Sequence, residues 1–313
     1  MRVKKIFGVR SVTKAESEPR KKYFLVYEGE KTELLYFDAV NDMRQEISLN
    51  PLIELTPLIR SYSESGWSNP KQILDRVIQN VTEGQTGDIT YGTLIDRVID
   101  YLLEKEIISK TLQAKNIASI LEWYCAEENK TRRDLVTNLE QTSAIIAGFL
   151  DKASCIATIS ENISDIIKSQ AITYAEDFDK ICLIVDRDRE SFICKLDNDQ
   201  YNYVLETCKK KKMGFYVTNP CFEFWLLLHF DQVLNLDKTR LLNNPKVSSR
   251  RRYAEHELNK LMPGFQKSSY DAHLLVQKID TAIENAQQFC EEIEKLEQQV
   301  GCNLGRLIKE LRE

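Results

Sequence analysis

The chain has 313 residues, 42% hydrophobic and 29% charged, a balance that supports one large or two modest cores and excludes wholesale disorder. No apolar run approaches the roughly 20 residues of a membrane-spanning helix, and the basic N-terminus lacks the apolar stretch of a secretion signal, so a cytoplasmic chain is expected. The net charge of −5 hides a partition: residues 83–177 hold 16 acidic against 9 basic side chains, net −7, leaving +2 elsewhere.

Eight basic side chains crowd the first 22 residues, against Glu16 and Glu18, so residues 1–20 read as a basic tail. Tyr23 to Tyr27 is an apolar, aromatic run that ends at Glu28, Gly29 and Glu30, as a buried strand closing in a glycine turn would. From Thr32 the apolar residues Leu34, Leu35, Phe37, Val40 and Met43 follow helical spacing. Pro51 to Ile59 reads as a second strand. After a serine-rich stretch, Asn69 and Pro70 open another helix, with Ile73, Leu74 and Val77 on one side.

The character changes near Gly84 and Gly87. From about Thr93 to Ala175 there is helical periodicity and no proline, which predicts a set of long helices inserted into a different architecture. Strand character resumes at Ile181 to Val185, a continuous apolar run that stops at Asp186, Arg187 and Asp188. A lysine-rich helix over about 197–212 leads to a strand at Gly214 to Thr218. Asn219 and Pro220 then predict a helix start, with Asn219 as N-cap and an apolar helix from Cys221 to Phe230. The steps Ile279, Ile283, Ala286, Cys290, Ile293, Leu296 and Val300 predict one C-terminal amphipathic helix.

Strand–helix alternation with strands apolar on both faces predicts an α/β fold around a parallel, doubly wound sheet. The expected division is a core of residues 21–82 and 178–270, a helical insertion at 83–177 and a helical segment at 271–313. The eight cysteines (Cys125, Cys155, Cys182, Cys194, Cys208, Cys221, Cys290, Cys302) show no zinc-type spacing and mostly lie in apolar stretches, so buried, reduced thiols are expected. Two further basic clusters, Lys209 to Lys212 and Arg250 to Arg252, are either solvated surface or the frame of a phosphate-rich ligand.

In parallel sheets ligands sit beyond the carboxyl ends of the strands. Two such ends are acidic here: Glu28 with Glu30, and Asp186 with Asp188, followed by Glu190. If their strands lie close together, several carboxylates share one cleft and repel unless a cation neutralises them. Hard oxygen ligands favour Mg²⁺ or Mn²⁺, and a metal so held activates water and stabilises charge at a phosphoryl centre. Glu223 sits on an otherwise apolar helix, where a charge needs a partner or a metal. No Walker-type loop is present.

Phe24 to Phe37, then Leu183 to Asp188, then Asn219 to Phe230 resemble the three signature blocks of the RloB-like family, which is similar to the Toprim fold of primases, topoisomerases and OLD-type nucleases. A fourth stretch, Pro263 to Lys267, resembles a family segment reading Tyr-x-Lys, with Phe265 in place of the tyrosine. The resemblance covers residues 21–82 and 178 to about 290. It implies that Glu28 is the general acid/base and a metal ligand, and that Asp186 and Asp188 are the metal-binding pair. Glu33 belongs to the first block, either as a metal ligand or as a helix-start residue. Glu223 is a candidate fourth carboxylate, with a buried pair with His229 or an arginine as the alternative. His229 is either a general acid/base or phosphate contact, or a satisfied core histidine; Trp225 and Phe222 read as core. Lys31, Arg187 and Lys267 are the candidate nucleic-acid contacts.

The expected function is therefore a Mg²⁺- or Mn²⁺-dependent Toprim nuclease acting on RNA, such as tRNA, or on DNA. The resemblance further implies a toxic effector of abortive, antiphage defence, controlled by a partner ATPase of the ABC or SMC-like kind, with a homodimer as an open possibility. The alternative is a non-catalytic Toprim module that binds nucleic acid or the ATPase.

Overall fold

A computed structural model describes residues 3–4, 7–9, 20–29, 31–59, 69–104, 108, 111–154, 172–187, 200–249 and 251–313. Two short strands, β1 (Val3–Lys4) and β2 (Phe7–Val9), fall within the stretch that charge alone marks as a tail. The first long strand, β3 (Lys21–Tyr27), leads through helix α1 (Thr32–Asp42) to β4 (Ile53–Ile59). Helix α2 (Pro70–Thr86) starts on an Asn69 cap that accepts the Gln72 N–H and stops at Gly87, whose φ of 76° is left-handed.

Among the described residues the helices α3 (Tyr91–Glu104), α4 (Thr111–Glu127) and α5 (Leu139–Ser154) follow, and then the short strand β5 (Ile172–Tyr174). Strand β6 (Lys180–Asp186), helix α6 (Gln200–Lys210), strand β7 (Gly214–Asn219) and the short helix α7 (Phe222–Leu227) form the next unit. The chain ends with α8 (Lys238–Asn243), α9 (Tyr253–Leu261), α10 (Ala272–Val276), α11 (Ile279–Ala286), β8 (Gly301–Cys302) and α12 (Leu304–Arg312).

One sheet has the order β1-β4-β3-β6-β7-β8, parallel throughout except for β8, which runs antiparallel to β7; β2 and β5 pair separately. The strand period of two sorts the side chains. Tyr23, Leu25 and Tyr27 of β3 enter one core with Cys182, Ile184 and Tyr216, under α1, α7, α9, α11 and α12. Phe24 and Val26 enter the other with Ile181, Leu183, Val185, Phe215 and Val217, under α2 and α6. Both faces are buried, which is why these strands read as unbroken apolar runs. The architecture is the mixed α/β one expected: a mostly parallel sheet flanked by helices.

The helices between α2 and β5 bury a cluster of their own, centred on Leu94, Ile95, Ile99, Leu121, Ile146 and Leu150. Asp96 of α3 ties this unit to the sheet layer, accepting Arg76 at 2.9 Å and Arg132 at 2.7 Å. Glu83 near the end of α2 accepts the Thr93 hydroxyl at 2.7 Å.

Two expectations are corrected. Asn219 is not an N-cap: it stays in β7, paired with Gly301, and its side-chain amide donates to the Leu296 carbonyl at 2.6 Å. Cys221 stands at the N-cap position instead, without a side-chain capping bond, and the helix is shorter than expected. The long C-terminal helix stops at Ala286, because the backbone of Cys290 is captured by the strand that follows: it donates to Val300 and accepts from Cys302. Gly301 lies so near Cys290 that a Cβ would strike its carbonyl. The C-terminal amphipathic helix is α12, which buries Leu304, Leu307, Ile308 and Leu311. Cys125, Cys182, Cys208, Cys221, Cys290 and Cys302 are all free thiols, mostly buried; Cys155 and Cys194 lie outside the described residues. Among the described residues no helix is long and apolar enough to cross a membrane.

Candidate active site

From β3 the chain crosses to β4 on one side; from β6 it crosses to β7 on the other. The boundary between β3 and β6 is thus the topological switch point of the sheet, where diverging loops leave a crevice beyond the strand ends. Glu28 follows β3 directly and Asp186 ends β6, so the two acidic motifs meet there. The Glu28 amide donates to the Ile184 carbonyl at 3.0 Å, and the Glu28 carboxylate accepts the Asp186 amide at 2.9 Å. The strands the sequence left unplaced are neighbours, joined through one of the acids itself.

Glu33 joins them from the first turn of α1. Its buried carboxylate accepts its own amide and that of Gly29, and a side chain at Gly29 would run into it. This close approach, rather than a left-handed turn, is what demands glycine there. Glu223 enters from the first turn of α7, only 3% exposed, and accepts Lys267 at 2.6 Å. Lys267 sits on a loop fastened to α1: its carbonyl accepts the Thr32 hydroxyl at 3.1 Å, and Tyr270 donates to the Thr32 carbonyl at 2.7 Å. Phe265, buried against the Tyr270 ring, anchors the same loop without a hydroxyl.

The electrostatics are lopsided. Burial pushes the Asp186 carboxyl well above its ordinary range; Glu28, Glu33 and Glu223 push it further, and Lys267 opposes them. Burial and Glu223 likewise raise Glu33 against the pull of Lys267 and two backbone amides. Burial would lower the Lys267 ammonium, but the Glu223 carboxylate outweighs it and holds it above its ordinary value. Burial, then Glu223 and Asp186, push the Cys221 thiol up as well. Among the described residues, Lys267 is the cation that pairs with a carboxylate of this cluster, through Glu223.

Two clefts open from this cluster and share Asp186, Glu223 and Lys267. One, of about 330 Å³, takes in Glu28, Gly29, Lys31, Thr32, Glu33 and Phe222. The other, of about 310 Å³, runs past Arg187 and Cys221 to Lys246, Ser248, Arg251 and Arg252. Lys31 is exposed at the first cleft. Arg187 lines the second, its guanidinium 3.4 Å from Glu297 and its centre 5.8 Å from the Tyr201 ring.

His229 is not at the crevice. It is 1% exposed; its Nδ1 faces the Trp225 and Leu226 carbonyls at 3.0 and 3.2 Å, and its Nε2 lies 2.9 Å from the Tyr36 hydroxyl. Burial lowers its pKa to about 3, so it is a neutral ring that donates to backbone and accepts from Tyr36. The core-histidine alternative describes its position. Trp225 and Phe222 pack edge-on around the same Tyr36 ring.

Asp188, Glu30 and Glu190 lie outside the described residues. Among the described residues no three His, Cys, Asp or Glu side chains are gathered as a ready metal site. Lys246 was not singled out in the sequence, and of the Arg250 to Arg252 cluster Arg251 and Arg252 line the second cleft while Arg250 lies outside the described residues. The available signal was a short polar turn, Ser248 and Ser249, between two basic positions, which suits a hairpin. The other basic cluster is elsewhere: Lys209 pairs with Glu206 and Glu294 on the surface.

A family model described as RloB-like protein matches residues 23–311. No curated protein and no solved structure matches the chain.

Proposed function

The chain belongs to the RloB-like family, and from that premise we propose that it is a metal-dependent nuclease cleaving phosphodiester bonds in RNA or DNA. The observation that carries the reading is the direct link between Glu28 and Asp186 at the switch point, where Glu28, Glu33 and Glu223 together raise the Asp186 carboxyl. A protein that only packs its core has no use for such repulsion, and a structural acid is normally given its own partner.

A hard divalent cation fits the residues present in donor type, since all the donors are carboxylate oxygens, and in charge. Glu28, Asp186 and Glu33 would hold it by drawing closer together than they stand here, with Asp188 completing the set that the resemblance implies. A Mg²⁺ or Mn²⁺ ion supplies a polarised water and positive charge beside the phosphate. Glu28 would take or return a proton while its other oxygen keeps the Asp186 amide. Glu223 acts at one remove: it holds Lys267 charged at the mouth of both clefts, where an ammonium offsets phosphate charge. His229 has no part in this scheme, because both its ring nitrogens are engaged within the core.

The resemblance supports a wider reading: an effector of antiphage defence restrained or triggered by an ATPase of the ABC or SMC-like kind, with the acidic insertion as its docking element. Deleting residues 88–175 should then abolish partner control.

The primary test is cleavage of mixed RNA and DNA by the purified chain with Mg²⁺ or Mn²⁺, with and without its partner, comparing wild type with Glu28→Gln. Glutamine keeps the carbonyl that accepts the Asp186 amide and removes the charge. Cleavage lost in a folded variant supports the nuclease; equal cleavage by both proteins removes it. Intact nucleic-acid or ATPase binding with no metal-dependent cleavage in any setting would favour the non-catalytic module.

A further inference from the structure

We propose that the hairpin formed by residues 244–249 and 251–253 is a phosphate-gripping element that holds an unpaired nucleic-acid strand beside the carboxylate cluster. The inference deepens the nuclease reading and takes from it the assignment of the cluster as the reacting centre.

The hairpin is built rather than loose. Asn244 ends α8 in a left-handed conformation (φ 39°) and is buried at its root. Its side chain accepts the Ala254 amide at 2.9 Å and donates to the Cys221 sulfur at 3.5 Å, which ties the hairpin to the corner that carries Glu223. Across the turn, the Val247 amide donates to the Arg251 carbonyl at 3.0 Å, the Arg251 amide to the Ser248 hydroxyl at 3.0 Å and the Tyr253 amide to the Pro245 carbonyl at 2.9 Å. Lys246 and Arg252 face each other as an antiparallel bridge. The Arg252 guanidinium reaches the Asn244 carbonyl at 3.4 Å.

This frame sets Lys246, Arg251 and Arg252 along one cleft wall, with Arg187 and Lys267 nearer the cluster. The acids of the cleft are largely occupied: Glu223 by Lys267, and Glu255 by Arg251 at 3.7 Å. Lys246 is exposed and makes no ion pair among the described residues. The two clefts thus differ in character. The one containing Glu28 and Glu33 gathers carboxylates; the one under the hairpin gathers guanidinium and ammonium groups, donors that match phosphate oxygens. They meet at Asp186, Glu223 and Lys267, so a strand reacting at the cluster continues under the hairpin. A cleft of about 310 Å³ suits a nucleotide-sized piece of single strand rather than a duplex. The ligand chemistry is the phosphodiester itself, common to RNA and DNA.

The test is binding of labelled unpaired RNA, unpaired DNA and duplex DNA to the full chain, by anisotropy across a salt series in chelator, so that cleavage plays no part. The triple variant Lys246→Ala, Arg251→Ala, Arg252→Ala should weaken binding to unpaired strands by at least about tenfold. It should also flatten the dependence of log K on log salt by about two, since each neutralised phosphate contributes roughly 0.7 for single strands. Lys209→Ala, Lys210→Ala, Lys211→Ala removes the same charge from exposed positions outside the cleft and should change little. Lys246→Ala alone, which touches none of the hairpin bonds, should lower affinity in the same direction if the triple variant misfolds.

An unchanged affinity and slope in the hairpin variants, an equal loss in the control, tighter binding of duplex than of unpaired strands, or no binding by the wild type would overturn the proposal. The RNA and DNA arms separate the two sources of the ligand. Hairpin-dependent binding without Glu28-dependent cleavage would remove the nuclease reading and leave the grip. Glu28-dependent cleavage by a hairpin variant that binds normally would do the reverse.

Discussion

Strands β3, β6 and β7 carry polar groups toward both ends, and the two ends are built in opposite ways. Toward their amino ends, Tyr23, Lys180 and Tyr216 converge on a single acid, Glu310 of α12. Lys180 donates to its two oxygens at 2.7 and 2.8 Å, and the tyrosine hydroxyls donate at 2.9 Å each. Toward their carboxyl ends, Glu28, Glu33, Asp186 and Glu223 crowd around Lys267. Glu310 is only partly buried, with 30% of its side chain exposed, whereas Glu33 and Glu223 are almost fully buried, so desolvation separates the two ends and compensation widens the gap. One end is completed by the chain itself and reads as a latch for the C-terminal helix; at the other, among the described residues, four carboxylates gather near Lys267, as a site awaiting a ligand would.

The sharpest way to break this contrast is to remove one acid from each end. Glu28→Gln should reduce cleavage by on the order of 10²–10⁴-fold, the range for a lost acid/base group, with no loss of stability in denaturant unfolding. Glu310→Gln should leave cleavage unchanged and lower unfolding free energy by about 2 kcal/mol, because Lys180 and two hydroxyls lose a charged acceptor. Parallel losses of activity and stability in both variants would erase the distinction.

Metal should act at one end only. Mg²⁺ at ten to a hundred times its dissociation constant should stabilise the wild type by roughly 1.4–2.7 kcal/mol through mass action. In Asp186→Asn the thermal shift should shrink toward zero, and in Glu310→Gln it should persist.

The two ends should also titrate with opposite sign, the smallest of these effects. Burial would raise the Glu310 carboxyl, but Lys180 and the two tyrosines outweigh it and hold it below its ordinary value. Its contribution is therefore complete above the ordinary carboxylate range, about pH 4, and is lost as pH falls through the depressed value. Asp186 and Glu33 are raised, so their contribution is complete below that range and is lost as pH rises toward the raised values. In chelator, wild type should exceed Glu310→Gln in stability at neutral pH and fall behind Asp186→Asn. The Asp186→Asn gap should close by pH 4, whereas the Glu310→Gln gap should persist to about that pH and close only below it, as urea unfolding at neutral pH, pH 4 and lower pH would show.

Much of the site was legible because its parts are local. An apolar run stopping at an acid marks a strand end, and Glu28 and Asp186 are where that pattern put them. The charge on α7 singled out Glu223, though not its role as the partner that keeps Lys267 charged. His229 shows the limit of the same reasoning: the residue type suggested chemistry, but its ring fills a core slot against Tyr36. The helix expected through Val300 failed for a related reason. Its spacing was helical, yet Cys290 gains backbone partners from the edge strand after it.

By itself the sequence determined the alternation of strands and helices, both apolar strand faces and the acids that close two strands, because periodicity and turn chemistry act over a few residues. Only the tertiary structure decided that β3 and β6 are neighbours and that Glu28 holds the Asp186 amide across 158 positions of chain. It also decided that Lys267 serves Glu223 and that a basic hairpin walls the second cleft. Those pairings follow from which layers pack side by side, a property of the whole core that no local stretch encodes.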